Sequence, residues 1–424
     1  MKLFILTLGS RGDVQPYVAL GKGLILAGHE VTICTSSSFE GFITENGVQY
    51  GYMNNEILKL IDTDAGRDAV EDSGNLFGWL KTMAALTKQV KPLQAQMIED
   101  AWNAAEKVQP DLIMYHPKAM AGPHIAERLG IPRIISAPLP IFTPTAEFPS
   151  MVFPNWPLGG WYNRLTYTLS VKLAWMQYRG IINLWRERTL GLPPAPRGFA
   201  EMKLANGEPT PTIYPYSEHV SPRPADWPDS TISPGYWFLD RQEEWQPPAD
   251  LQAFLDTGQP PVYIGFGSMA GRDAAKKAQA AIGALQQSGQ RGIIATGWGG
   301  LSVDDLPPTI FKIDAAPHDW LFERVAAVVH HGGAGTTAAG LRAGRPTIIC
   351  PFFGDQPFWG RRVADLGVGA APIPQKKLNA GNLAAAITKV TSDVQIQQRA
   401  AALGEQIRAE DGVTPAIEFI DSMK

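Results

Sequence analysis

Three short stretches bring together side chains able to do chemistry. Residues 8–16, LGSRGDVQP, set Arg11 and Asp13 in a glycine-framed turn directly after the apolar run Leu3-Phe4-Ile5-Leu6. A carboxylate there can draw a proton from a hydroxyl as a general base. The same Asp13, at the head of a helix, is also an ordinary cap, and the helix dipole would depress its pKa and weaken it as a base. Residues 328–346, VVHHGGAGTTAAGLRAGRP, place a Gly-Gly-Ala-Gly loop between an apolar strand and a helix beginning at Thr336-Thr337. Backbone N–H groups and hydroxyls at a helix N-terminus suit phosphate oxygens, and His331 could donate to the same phosphate. Glycines in such a turn also serve tight packing alone, with Thr336 a cap. In PFFGDQPFWG, residues 351–360, Asp355 and Gln356 precede Pro357. Carboxylate beside carboxamide suits the vicinal hydroxyls of a sugar, or forms a cap ahead of a helix-starting proline.

Elements must hold these residues in place. KLFILTLG reads as a strand, Val14 to Ala27 as a helix and EVTICTS as a second strand, a βαβ start that favours a parallel sheet covered on both faces. PDLIMYHP continues as strand and loop, AMAGPHIAERLG as helix and PRIISAPL as strand. Between residues 196 and 250 prolines crowd together (Pro211, Pro215, Pro222, Pro224 and others) and periodic apolar stretches are few, as in a connection between domains. The chain then starts again: PVYIGFGSMAGRD echoes LFILTLGSRGD, a buried strand emptying into a Gly-Ser turn. Helix AAKKAQAAIGALQQSG, strands RGIIATG, TIFKID and VAAVVHH, helix TTAAGLRAG, strand PTIICP, helix QPFWGRRVADLG and strand GAAPI follow, and the last forty residues read as helices. The expected fold is α/β, with two doubly wound, Rossmann-like domains over 1–225 and 226–400 facing across a cleft, and helices in 401–424 packing back on the first domain. Ligands in such sheets sit at the carboxyl ends of the strands, where both glycine turns lie.

Composition narrows the function. A chain of 424 residues, 45% apolar and 18% charged, is long enough for about two or three domains. A net charge of −4, with no lysine- or arginine-rich run, argues against nucleic acid as a partner. Cys34 and Cys350 are the only cysteines, too few for a disulfide scaffold or a zinc site, which fits a reducing, cytoplasmic compartment. The N-terminal apolar stretch runs straight into GSRGD without a small-residue cleavage site, so it reads as a buried strand and not a signal peptide. No segment reaches the roughly 18 apolar residues needed to span a bilayer. GSRG lacks the full G-x-G-x-x-G pattern, and the second strand ends in Thr35-Ser36 where a ribose-binding acid is expected, which excludes a dehydrogenase.

The combination GSRGDVQP, PVYIGFGS, APHDWLF, HHGGAGTT and PFFGDQPFWG resembles the nucleotide-sugar glycosyltransferases of the two-Rossmann-domain (GT-B) type. Within them it is most similar to the UDP-glucose:sterol 3β-glucosyltransferases, while bacterial antibiotic glycosyltransferases share GSRGDV and HHGGAGTT. The resemblance implies an acceptor-binding first domain and a donor-binding second one. It implies that Ser10, Arg11 and Gly12 line the donor cleft, that Asp13 faces the acceptor hydroxyl, and that Ser268 closes on the phosphates. Ala316 and His318 would hold the uracil, His331, Gly333, Ala334, Gly335 and Thr336 the diphosphate, and Asp355 with Gln356 the glucose. Plant relatives stack a tryptophan on uracil where this chain has Ala315, so stacking falls to Trp298 or is absent. Their ribose-binding glutamate is replaced by Ala339. Plant enzymes also place a catalytic histidine in a Gly-His-x-x-Pro turn, and Asp13 occupies that slot; His116 falls near their partner aspartate, which suggests a reversed Asp-His pair or simply a loop histidine. The implied reaction is one inverting displacement with UDP leaving, and no metal or other cofactor is demanded.

From Trp156 to Leu190 the chain has four tryptophans and five basic residues against one acid, Glu187. Such a surface suits a sterol-like apolar acceptor and a peripheral membrane contact through 156–190, or else a core helix with solvated basic flanks. Transfer to a lipid, terpenoid or polyketide aglycone, a sugar-nucleotide epimerase or hydrolase, and a non-catalytic lipid-binding protein are the alternatives.

Overall fold

The computed structural model describes residues 1–56, 76–195, 202–241, 244–266, 274–295 and 306–423. In chain order the first part comprises β1 (Lys2–Leu6), α1 (Arg11–Leu26), β2 (Glu30–Ser36), α2 (Glu40–Glu45), β3 (Gln49–Met53), α3 (Leu76–Val108), β4 (Leu112–Tyr115), α4 (Gly122–Leu129), β5 (Arg133–Ser136), α5 (Gly160–Trp185), β6 (Thr212–Ile213) and β7 (Thr231–Ile232). The second comprises α6 (Ala249–Leu255), β8 (Val262–Gly265), α7 (Ala274–Ser288), β9 (Gly292–Ala295), β10 (Ile310–Ile313), α8 (His318–Leu321), β11 (Ala327–His330), α9 (Ala334–Arg342), β12 (Thr347–Ile349), α10 (Gln356–Asp365), α11 (Ala380–Ser392), α12 (Val394–Ala409) and α13 (Thr414–Asp421).

The strands form two parallel sheets, of order β3-β2-β1-β4-β5-β6-β7 and β10-β9-β8-β11-β12. In β1, Leu3, Phe4, Ile5 and Leu6 are all fully buried because helices cover both faces. Leu3 and Ile5 join the core under α1 with Val14 and Tyr17, while Phe4 and Leu6 point the other way, into the core built with Met97 and Trp102 of α3. Each such side chain contributes about 1.5–3 kcal/mol relative to exposure. The second sheet repeats the device, with Val262 and Ile264 facing Ala278 and Ala281 of α7 while Tyr263 faces Trp320 and Phe322. Strand order reverses between β1 and β4 and between β8 and β11, and the crevices outside those carboxyl ends are where ligands bind in such sheets.

Several local expectations are revised. The first helix begins at Arg11, ahead of Val14, because Ser10 caps it and Asp13 sits inside the first turn. The proline-rich stretch is more than a connection: Thr212 pairs with Ile135, and Thr231 with Thr212, which adds two edge strands and carries the first sheet beyond residue 225. GAAPI makes only a bridge between Gly369 and Thr347, since Pro372 and Pro374 offer no N–H to a longer ladder. At the C-terminal end, α12 lies on the second domain, with Leu403 and Ile407 beside Leu341 and Trp359. The chain then returns, and Ala416 and Ile420 of α13 complete the core under α1 with Val18, Leu20 and Leu24. Ala137, Tyr214 and Trp227 share an apolar cluster with Ala338, Leu341 and Trp359, so the two domains meet through packed side chains. Among the described residues no helix is long and apolar enough to cross a membrane.

Candidate active site at the carboxyl ends of the two sheets

On the first-domain side the site is built by the turn after β1 and the loop after β4. Gly9 has φ +145°, and a Cβ there would lie 2.1 Å from Asp13 Oδ2, so only glycine lets the turn close over the carboxylate. Ser10 is the helix N-cap; its N–H and its hydroxyl donate to Asp13 Oδ2 at 2.8 and 3.1 Å, and Thr7 Oγ1 donates to the Asp13 carbonyl at 2.7 Å. Asp13 is therefore the third helical residue, reaching back in half of a capping box. Its other oxygen, Oδ1, takes the ammonium of Lys118 at 2.7 Å.

Lys118 arrives from β4. The β1–β4 register pairs Leu6 with Tyr115, and the N–H of His116 donates to the Leu6 carbonyl at 2.8 Å, so the loop His116-Pro117-Lys118 is set against the Asp13 turn. His116 Nδ1 accepts the N–H of Lys118 at 3.1 Å and makes no hydrogen bond to Asp13. The carboxylate of Asp13 is thus hydrogen-bonded to Lys118, and His116 acts on it only electrostatically. Burial, with Lys118 nearby, presses His116 down to about 3 and leaves it neutral near pH 7. Burial alone would raise Asp13; the Lys118 charge and the hydrogen bonds from Lys118 and Ser10 overcome it and hold the carboxyl below its ordinary range. Arg11 lies over the Phe42 ring at 4.5 Å and bonds Gln15 Oε1 at 3.1 Å, while Gly12 is exposed beside it.

On the second-domain side β11 ends at the buried His330, whose Nδ1 accepts the N–H of Gly332 at 3.0 Å. Gly332 has φ +97°, and a Cβ there would meet Ile349 Cγ2 at 2.6 Å. Gly333 is the N-cap of α9, which starts at Ala334 and not at Thr336 as expected; the first intrahelical bond runs from the Thr337 N–H to the Gly333 carbonyl at 2.9 Å. The N–H groups of Ala334, Gly335 and Thr336 consequently have no intrahelical acceptor and carry the positive end of the helix dipole. The His331 ring lies over this start, its Nε2 2.7 Å from where a Gly333 Cβ would be, and its Nδ1 is buried without a partner. Burial lowers His331 to about 4, so a neutral imidazole faces the helix end.

His318 opens α8 and stacks on Phe322 with ring centroids 4.3 Å apart and an interplanar angle of 13°. Burial lowers it to about 4 against the opposing pull of Asp319. Arg11 and His331 both lie close enough to oppose a charge on His318, and Ala316, two residues before it, is half-buried. Asp355 is the N-cap of α10 by position, but its side chain does not cap; Oδ2 accepts Trp359 Nε1 at 3.2 Å. Burial raises Asp355, its own backbone N–H and Lys118 oppose this, and Asp13 adds to it. Gln356 is buried, and its Oε1 accepts the Phe352 N–H at 2.7 Å, so half of its carboxamide serves the loop.

The structure thus gathers Asp13, Lys118, Asp355, His331 and the start of α9 around the meeting of the two domains, where α1 touches α9. Ser268 and Trp298 lie outside the described residues. No group of three or more His, Cys, Asp or Glu able to hold a metal ion occurs among the described residues. Two participants escaped the sequence reading. Lys118 had one signal, its place two residues after His116 at a strand's carboxyl end; His330, adjacent to His331, orders the glycine turn.

Residues 3–147 match the glycosyltransferase family 28 N-terminal domain, and residues 293–418 match the erythromycin biosynthesis protein CIII-like C-terminal domain. A sterol 3-beta-glucosyltransferase of Aspergillus terreus is 39% identical over 433 residues, covering 99% of this chain and 30% of the relative. The chain therefore spans under a third of that relative's length. Among solved structures, the glycotransferase of kitacinnamycin superposes with a TM-score of 0.70 at 20% identity, covering 100% of this chain and 98% of the other. The spinosyn rhamnosyltransferase SpnG complexed with thymidine diphosphate gives a TM-score of 0.65 at 17% identity, covering 99% and 100%.

Proposed function

We propose that this chain, whose two parts match glycosyltransferase domain models and whose fold is that of GT-B enzymes, moves glucose from UDP-glucose to the hydroxyl of a sterol or similar apolar acceptor, with inversion and with Asp13 as general base. The observation that carries the reading is the opposition of an ionised carboxylate on one wall to a helix N-terminus with a neutral histidine on the other. In one displacement the acceptor oxygen bonds to the anomeric carbon, its proton passes to Asp13, and the bond from that carbon to the diphosphate oxygen breaks, its electron pair leaving with UDP. The N–H groups of Ala334, Gly335 and Thr336 and the imidazole of His331 stabilise the charge that develops on the diphosphate. We assign that role to them and not to a metal ion, so transfer should survive EDTA. The name of the fungal relative supports a glucosyl donor and a sterol acceptor.

The test is incubation with UDP-glucose, with and without a sterol, followed by analysis of products. A β-glucoside formed from the α-linked donor is the expected result. An epimerised nucleotide sugar, or free glucose at equal rates with and without sterol, would overturn the assignment.

A further inference from the structure

We propose that the outer face of α5 docks this protein on an anionic lipid bilayer. The helix has 26 residues, about 39 Å of length at 1.5 Å per residue. Its inner face is buried through Tyr162, Thr166, Tyr167, Ile182 and Trp185. Along the outer face Trp161, Leu165, Leu169, Leu173, Met176 and Leu184 are exposed, Trp161 by 66% and Met176 by 62%, and Trp156 in the preceding loop adds another exposed ring. A helix apolar on both sides calls for cover on the second side as well as the first.

Charge says what the cover is. No Asp or Glu occurs between Ser150 and Glu187, in a chain whose net charge is −4. Arg164 is paired with Asp226, but Lys172 and Arg179, exposed on the same turns as Leu173 and Met176, have no ion-pair partner among the described residues. Anionic headgroups would pair those two cations while the acyl boundary takes the tryptophan and leucine side chains. A second copy of this chain meeting the face by two-fold symmetry would instead bring Lys172 and Arg179 against their own counterparts. The buried side of α5 shares its core with Ala119, Met120 and Ala121, on the loop that carries His116 and Lys118. The docking helix and the loop of the candidate active site therefore share one core, which favours delivery of an acceptor dissolved in the bilayer.

The inference deepens the apolar-acceptor reading, and its test uses neither donor nor sterol, so the two can fail separately. The intact chain is floated with vesicles of phosphatidylcholine alone and with added phosphatidylserine, and its mass in solution is recorded. We expect a monomer that rises with the anionic vesicles, about fivefold less for each of Lys172→Gln and Arg179→Gln. The triple variant Leu169→Ser, Leu173→Ser, Met176→Ser should stay in the buffer, with a thermal midpoint matching the wild type because all three positions are exposed. A wild-type protein that ignores both vesicles, binding that neither set of substitutions weakens, or a dimer that the triple variant splits would overturn the proposal.

Discussion

Replacing Lys118 by Met removes the charge that Asp13 faces and leaves the rest of the turn intact. The ammonium and Asp13 Oδ1 are 2.7 Å apart, with the lysine side chain 55% exposed and the aspartate 16%. Water reaches the lysine end of the pair, and at the water limit two unit charges at that separation interact by about 1.5 kcal/mol. Burial, the largest influence on Asp13 and the one that raises it, then goes unopposed by Lys118. For a base that must be ionised, the acid limb of kcat/KM should move to higher pH in Lys118→Met. The rates of the two proteins should converge as the pH rises. The assay is transfer from UDP-glucose to a sterol from pH 4 to 8 in wild type and variant. An acid limb that does not move would show that the limb belongs to a group other than Asp13. Loss of activity at every pH would show that Lys118 acts on the reacting atoms themselves.

Four further outcomes can be measured. Asp13→Asn keeps an oxygen to accept the Ser10 N–H but loses the base, so the variant should fold, bind UDP and lose roughly 10²-fold or more in kcat; near-normal turnover would place the base elsewhere. His331→Ala should raise the donor KM and lower kcat together, because a phosphate contact strengthens as charge develops on the leaving group; unchanged kinetics would remove His331 from the site. Gly332→Ala forces a Cβ against Ile349 at a positive φ, so denaturant titration should show a loss of more than about 1 kcal/mol, and an unchanged midpoint would contradict the turn geometry. His318 and His331 stay neutral to about pH 4, and His116 and His124 to about 3, whereas an unfolded chain protonates its histidines near 6.5. The unfolded state thus binds more protons in that window, so the melting temperature should fall as pH drops from about 6.5 through 4; a flat profile would mean that the rings are hydrated.

The parallel sheets were legible because strands covered on both faces are near-continuous apolar runs, as in Leu3 to Leu6 and Val262 to Ile264. Two helix starts were read late, since Gly12 and Gly335 carry no helical signal of their own and the caps Ser10 and Gly333 decide the boundary. The strands β6 and β7 were hidden among prolines, for they have two residues each and exist only because β5 offers an edge. The Asp13 turn and the glycine loop were readable as local motifs. The Lys118–Asp13 pair was not, because it joins residues 105 apart through the β1–β4 register. Gln356 illustrates the same limit: nothing local says that its oxygen is already taken by Phe352.

The return of α13 to the first domain has a consequence for how the chain is made. The core under α1 needs Ala416 and Ile420, which leave the ribosome about 400 residues after β1, roughly 20 to 80 s later at about 5–20 residues per second. Throughout that interval Val18, Leu20 and Leu24 lack part of their cover, and the N-terminal half cannot mature as a finished unit while the second half is still being synthesised. A nascent chain of this kind should lean on chaperones that shield apolar surface until elongation has passed residue 420, and should be sensitive to any stall before it.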